Sequence, residues 1–192
     1  AGQRQEIDAI WLSSLTESTA NGKPDIEYVD RTSRAQTINE ILDVTTKPLI
    51  YDGDTGGIPE HFTRLVRSLE RLGVSAVIIE DKIGLKKNSL FGAAVDQTQD
   101  DPLAFAEKIR AGKAAQVGKD FSIIARIESM ILGKSVEDAL ERAKVYVEAG
   151  ADCIMPHHKD RDPAKLFEFA AAFEAMGSPV PMVAVPSAYS HV

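Results

Sequence analysis

Short β-rich apolar runs alternate with amphipathic helical patterns along this 192-residue chain. The strand candidates are residues 7–14 (IDAIWLSS), 48–54 (PLIYDGD), 75–81 (SAVIIED), 122–128 (SIIARIE), 152–158 (DCIMPHH) and 182–187 (MVAVPS). Several are nearly continuous apolar runs, the pattern of a parallel strand buried on both faces. Between them, Phe62, Leu65, Val66, Leu69 and Leu72 recur at helical spacing. Leu140, Ala143 and Val147 do the same, as do Leu166, Phe169, Ala170 and Phe173. Ser135 with Asp138 three residues on reads as an acidic capping box, and Gly150 and Gly177 fall where helices should stop.

Repeated βα units imply a parallel sheet, open and doubly wound or closed into a barrel. In both, the residues that do chemistry stand just past the carboxyl ends of the strands. The candidate strands end in Trp11, Ser13 and Ser14; in Asp52 and Asp54; in Glu80, Asp81 and Lys82; in Arg126 and Glu128; and in His157 and His158. Polar groups from five consecutive strands suit a barrel mouth better than a single crevice. A full barrel has eight strands and about 250 residues. Six candidates are visible here, so the expectation is α/β, a (β/α)8 TIM-type barrel lacking its first and last βα units. Residues 1–192 would then be one partial catalytic domain of a longer polypeptide.

The 44% apolar and 27% charged residues are those of an ordinary globular protein, and no apolar run approaches bilayer-spanning length. No membrane partner is expected. The net charge of -7 argues against nucleic acid, whose phosphates need basic patches, but leaves room for a small anion in a locally positive pocket. One cysteine, Cys153, allows no internal disulfide and no thiolate metal cluster, and a reducing cytoplasm is the natural compartment.

In YDGDTGG, Asp52 and Asp54 share one face of a strand end, and glycines beside them leave space for a ligand near the backbone. An Asx-type turn is the structural alternative. With Glu80 arriving on the neighbouring strand, the three carboxylates make a hard-oxygen site suited to Mg²⁺. The polar stretch EDKIGLKKNSLFG is a place for a lid over an anion, the alternative being a solvated charge run. Arg126 interrupts an apolar strand, where it either pairs structurally with Glu128 or aims at a carboxylate or phosphoryl group. His157 ends a strand beside this region, His61 reads as surface, and Cys153 reads as a buried inert thiol. No dinucleotide fingerprint, Walker loop, serine elbow or His-Glu-x-x-His motif is present.

The stretch EDKIGLKKNSL resembles the E-D-K-x-x-x-K-x-N-S signature of the phosphoenolpyruvate mutase family, within the isocitrate lyase superfamily. The likeness extends in order through W-x-S-S-L at 11–15, G-x-x-D at 22–25, D-x-D-T-G at 52–56, A-R-x-E at 125–128, and A-G-A-D followed by His157. His158 stands where the family usually has serine, Pro156 where an aliphatic residue is common, and Leu85 where a lid proline is frequent.

The resemblance implies a (β/α)8 barrel, a homotetramer, and Mg²⁺ (or Mn²⁺) held by Asp52, Asp54 and Glu80. It implies that Trp11, Ser13, Ser14 and Leu15, with Asp52, bind the pyruvate part of phosphoenolpyruvate or phosphonopyruvate. Arg126 and His157 would hold the phosphoryl group, with Lys86, Asn88, Ser89 and Leu90 from the lid and Asp25 ordering the closed site. The implied activity is that of an isomerase forming the carbon–phosphorus bond of phosphonate biosynthesis. Phosphonopyruvate hydrolysis is the close rival, and usually has Thr where Asn88 stands. Carbon–carbon lyases of the superfamily use a cysteine in this loop, and none is present here. A decarboxylase and an inactive anion-binding scaffold are the remaining alternatives.

Overall fold

The computed structural model describes residues 7–84, 86, 97–177 and 180–186. Its first half runs β1 (Ile10–Leu12), α1 (Ser14–Ala20), α2 (Arg31–Leu42), β2 (Leu49–Asp52), α3 (Pro59–Leu72) and β3 (Ala76–Glu80). There follow two short strands, β4 (Lys82–Ile83) and β5 (Thr98–Gln99), then α4 (Pro102–Ala115) and β6 (Ser122–Ile127). The chain continues through α5 (Val136–Glu148), β7 (Cys153–Pro156) and α6 (Ala164–Ala175).

Strands β1, β2, β3, β6 and β7 form one parallel sheet in that order, each beside the next sheet strand along the chain. A doubly wound sheet reverses its order at a switch point, whereas sequential order with intervening helices is barrel winding. Past β7 the winding goes on: Ile154 N–H donates to Pro181 O (3.1 Å), Val183 N–H donates to Ile154 O (2.8 Å), and Ile154 bridges Met182 in parallel. The expected strand over 182–187 is thus a bridge at Met182 among the described residues, and residue 187 lies outside them. β4 and β5 pair antiparallel, which returns the chain beside Asp81 before α4 begins.

The strands are shorter than the apolar runs for local reasons. Residues 7–14 contract to Ile10–Leu12 because Ser13 becomes the N-cap of α1, its hydroxyl accepting from Thr16 N–H. Residues 48–54 stop at Asp52 because Asp54 turns to φ 54°, outside any strand conformation. The helical readings hold: Phe62, Leu65, Val66 and Leu69 are the buried face of α3, and Ser135 caps α5 by accepting from Asp138 N–H. Gly150 (φ 100°) and Gly177 (φ 67°) follow directly on the ends of α5 and α6.

Two cores explain the continuous apolar strands. Leu49, Tyr51, Val77, Ile79, Ile123 and Ile127 pack outward with Phe62, Phe105, Ile109, Tyr146 and Phe169 of the helices. Ala76, Ile78, Ile124 and Met155, with Ile50 and Cys153, pack on the opposite face, the barrel interior. Each fully buried aromatic or aliphatic side chain contributes about 1.5–3 kcal/mol. Among the described residues no helix is long and apolar enough to cross a membrane.

Candidate active site

The period of two along each strand decides which side chains reach the interior. Ile50 and Asp52 on β2, Ala76, Ile78 and Glu80 on β3, Ile124 and Arg126 on β6, and Cys153 and Met155 on β7 share that face. The register sets Glu80 beside Arg126 and Arg126 beside Met155. One step further, Lys82, Glu128 and His157 stand at the strand ends. The lower interior is therefore apolar, and its carboxyl-end layer is almost wholly charged.

Around Asp52, Ser14 donates from both N–H (3.3 Å) and Oγ (3.1 Å) to Oδ2, while Asp54 N–H approaches Oδ1 at 3.3 Å. The latter is an Asx-type contact, so the turn and the site coexist. Gly53 between the two aspartates is required, because a Cβ there would lie 2.8 Å from Val77 and 2.9 Å from Ile78 O. Lys86, beyond β4 in the chain, joins this group. Its Nζ donates to Asp25 Oδ1 at 2.8 Å and also contacts Ser14 Oγ and the Asp54 carboxylate. Burial works against its charge, but Asp54, Asp52 and the hydrogen bonds to Asp25 and Asp54 outweigh it and raise its pKa. On the outer side Arg34 binds Glu17 Oε2 through Nε (2.7 Å) and lies 3.5 Å from Asp54 Oδ2.

A second group is centred on Glu128, whose carboxylate is wholly buried. Arg126 Nε donates to Glu128 Oε1 at 2.5 Å and lies 3.7 Å from Glu80 Oε2. Lys82 Nζ sits 3.2 Å from Glu80 Oε1 and 3.4 Å from Glu128 Oε2. His157 Nδ1 is 2.7 Å from Glu128 Oε1 and 2.6 Å from Arg126 Nη2, partners that ask for opposite tautomers. Burial, then Arg126, push the imidazole below its ordinary value against the pull of Glu128, so His157 is neutral near pH 7. Burial alone would raise Glu128, but Arg126 and His157 hold it well below the usual carboxylate range. The two groups face one another, since Asp52 is among the charges that keep Arg126 protonated against its burial.

Among the described residues, no three His, Cys, Asp or Glu side chains are gathered as a ready set of metal ligands. Asp52, Asp54 and Glu80 share the mouth, but Lys86 contacts Asp54 while Lys82 and Arg126 contact Glu80. The charge balance nonetheless fits a divalent cation. Among the described residues, six carboxylates (Glu17, Asp25, Asp52, Asp54, Glu80, Glu128) meet four cations (Arg34, Lys82, Lys86, Arg126), a formal excess of two negative charges. That excess shows in the side chains themselves. Burial and then Glu128 push Glu80 up to about 7, and its buried Oε1 has the Lys82 ion-pair contact but no hydrogen bond. Burial and then Asp52 raise Asp54. Hard carboxylate oxygens with surplus negative charge are donors for Mg²⁺-like ions.

Behind this layer Asp81 points away from the interior. Its carboxylate accepts from Glu128 N–H (2.8 Å), Tyr146 OH (2.7 Å), Gln99 Nε2 (2.9 Å) and Arg142 Nη1 (3.2 Å). It ties the ends of β3 and β6 to β5 and α5, and so fixes the residues on either side of it, Glu80 and Lys82.

The structure brings Ser14, Asp25, Asp52, Asp54 and Lys86 into one group and Glu80, Arg126 and His157 into the other, whereas the sequence reading set Glu80 with Asp52 and Asp54 and Lys86 with Arg126 and His157. Ser13 serves as a helix cap, and Trp11 and Leu15 lie at the rim, 37% and 36% exposed. Asn88, Ser89 and Leu90 fall outside the described residues. His61 is on the surface as expected, and Cys153 is half-buried with its thiol pushed up by burial. The reading missed Lys82 as a site residue, although its spacing of two from Glu80 signals the same face. It also missed Arg34, on a helix whose packing against α1 no local pattern announces.

The sequence profile described as phosphoenolpyruvate phosphomutase matches residues 1–191. Phosphoenolpyruvate phosphomutase of Tetrahymena pyriformis is 36% identical over 185 residues, 95% of this chain and 60% of that protein. Phosphonopyruvate hydrolase of Variovorax sp. (strain Pal2) is 33% identical over 183 residues, 94% of this chain and 61% of that one. The crystal structure of phosphoenolpyruvate phosphomutase from Streptomyces platensis subsp. rosaceus matches with TM-score 0.89 at 34% identity, covering 96% of this chain and 63% of the other. A phosphonopyruvate hydrolase complex with oxalate and Mg²⁺ matches with TM-score 0.86 at 31% identity, covering 96% and 62%. The chain spans about 60% of the length of these relatives. With the profile matched almost end to end and the charged layer at the strand ends in place, this chain belongs to the phosphoenolpyruvate phosphomutase family.

Proposed function

We propose that this chain, residues 1–192, carries the catalytic mouth of a Mg²⁺-dependent phosphoenolpyruvate mutase that interconverts phosphoenolpyruvate and phosphonopyruvate. The observation that supports this most is the division of the mouth into a carboxylate-rich side around Asp52 and Asp54 and an Arg126–His157 side. Phosphoryl transfer passes through a loose, metaphosphate-like species and needs positioning and charge stabilisation above all. The phosphorus–oxygen bond of phosphoenolpyruvate breaks, leaving pyruvate enolate, and the enolate carbon forms the phosphorus–carbon bond. Nothing leaves and no proton moves, so the step balances within one molecule.

Asp52, Asp54 and Glu80 would hold the ion, which when bound supplies positive charge beside the enolate oxygen. Arg126 offers a planar guanidinium to the phosphoryl oxygens, and a neutral His157 offers one ring N–H. Glu128 orients both, since each contacts the same oxygen, Oε1. Trp11, Ser13, Ser14 and Leu15 face the pyruvate part. Asp25 holds Lys86, which with Asn88, Ser89 and Leu90 keeps water from the transferring group. The chain's one cysteine, Cys153, lies on β7 rather than in the loop after β3, so a loop thiol for lyase chemistry is lacking.

Chelation followed by Mg²⁺ titration tests the reading. Formation of phosphoenolpyruvate from phosphonopyruvate should vanish with chelator, return with Mg²⁺ or Mn²⁺, and be lost in Asp54→Ala while the fold is kept. Turnover that survives chelation, or a near-normal Asp54→Ala, rules the assignment out.

A further inference from the structure

On the outer side of β2, away from Asp52, a cavity of about 370 Å³ opens between α2 and α3. Its floor is apolar, built from Ile38, Tyr51, Leu65, Leu69 and Leu72, and Arg31, His61 and Arg64 stand around it. No acidic residue lines it, although the chain as a whole carries a net charge of -7. Among the described residues neither Arg31 nor Arg64 has an ion-pair partner, whereas Arg34, one turn along α2, has two.

Tyr51 is the second, independent observation. It is 3% exposed and lines the cavity, yet its hydroxyl makes no hydrogen bond to any described residue. The hydroxyl therefore opens onto the cavity with its donor uncommitted, available to a ligand's acceptor atom. Burial pushes the phenol up to about 12 against the pull of Arg34, so it remains a donor across the ordinary pH range.

We infer that this cavity is a second ligand site, distinct from the barrel mouth, for a small organic anion with an apolar body. Arg31 and Arg64 take the charged group, Tyr51 donates to it, and Ile38, Leu65, Leu69 and Leu72 take the hydrocarbon. The volume lies within the range of about 300–1,000 Å³ usual for small-molecule sites. The site is also wired to the mouth. The Arg34 guanidinium stacks 4.0 Å from the Tyr51 ring centroid and lies 3.5 Å from Asp54, so an occupant that moves Tyr51 acts on Asp54 through one side chain.

Fluorine NMR titration of the full protein with 4-fluorobenzoate tests this, with neutral 4-fluorobenzamide as control. The expected result is saturable broadening of the benzoate signal and at least ten-fold weaker binding of the amide. The double variant Arg31→Ala/Arg64→Ala, whose side chains are exposed, should weaken benzoate binding at least ten-fold. Ser68→Trp should block the cavity sterically, and Asp54→Ala should keep saturable benzoate binding, shifted far less than in the arginine variant because Asp54 reaches the cavity only through Arg34. No saturable binding, equal binding of the amide, or binding lost in Asp54→Ala but kept in the arginine variant would each overturn the inference. The readout is binding alone, so it stands or falls separately from the mutase reaction.

Discussion

Replacing Glu80 by Gln should make the metal-free protein more stable at alkaline pH and at the same time deprive it of its response to Mg²⁺. Glu80 is pushed from 4.5 up to about 7, first by burial and then by Glu128, despite Arg126 and Lys82 nearby. The folded state therefore binds this proton more tightly than the unfolded chain. The resulting stability is fully present below pH 4.5 and is lost as pH rises through about 7. At about 1.4 kcal/mol per pH unit, the loss attributable to Glu80 is roughly 3 kcal/mol. Glutamine keeps the shape and cannot ionise. In urea titrations without metal, the two proteins should match near pH 4.5, and the variant should lead by up to roughly 3 kcal/mol at about pH 8. Saturating Mg²⁺ should then raise the unmodified protein by about 2.7 kcal/mol at a hundred times the dissociation constant, and the variant by much less. A stability gap that does not grow with pH, or a variant that responds fully to Mg²⁺, would refute both the burial argument and the role of Glu80.

Tyr146→Phe removes the 2.7 Å hydrogen bond to the buried Asp81 carboxylate and should cost about 1–3 kcal/mol in thermal or urea unfolding. The same change should raise Asp81 above its value of about 6, which burial sets and the Tyr146 hydrogen bond lowers, readable by carbon-13 NMR of the carboxyl. Asn88→Ala should lower kcat by about 10²–10³, equivalent to about 2.7–4 kcal/mol for one lost transition-state donor, with Mg²⁺ affinity unchanged by calorimetry.

The parallel sheet, the sequential winding and the interior face of the strand ends were legible because burial on two faces and the period of two leave marks in a single strand's sequence. Asp52, Glu80, Arg126 and His157 were found on that ground. What lay beyond reach was contact between distant segments. Lys86 and Asp25, 61 residues apart, were set at one site by the family resemblance alone, and Arg34 meets Glu17 across two helices whose relative placement is a tertiary fact. Arg126 shows why alternatives at one position need not exclude each other. Its pairing with Glu128 is structural, and the same pair holds the guanidinium beside His157. Asp81 sat inside the quoted motif, but its role faces outward to Tyr146 and Arg142, and no spacing between residues so far apart could announce it.

Phosphorus NMR of the full-length protein with phosphonopyruvate and Mg²⁺ tests the mutase reading most directly. The phosphonate signal should give way to that of the phosphoenolpyruvate ester, with the equilibrium on the ester side. Accumulation chiefly of inorganic phosphate with pyruvate would contradict the mutase reading and make the protein a hydrolase, while an unchanged phosphonate signal with metal bound would make it an anion-binding relative without catalysis.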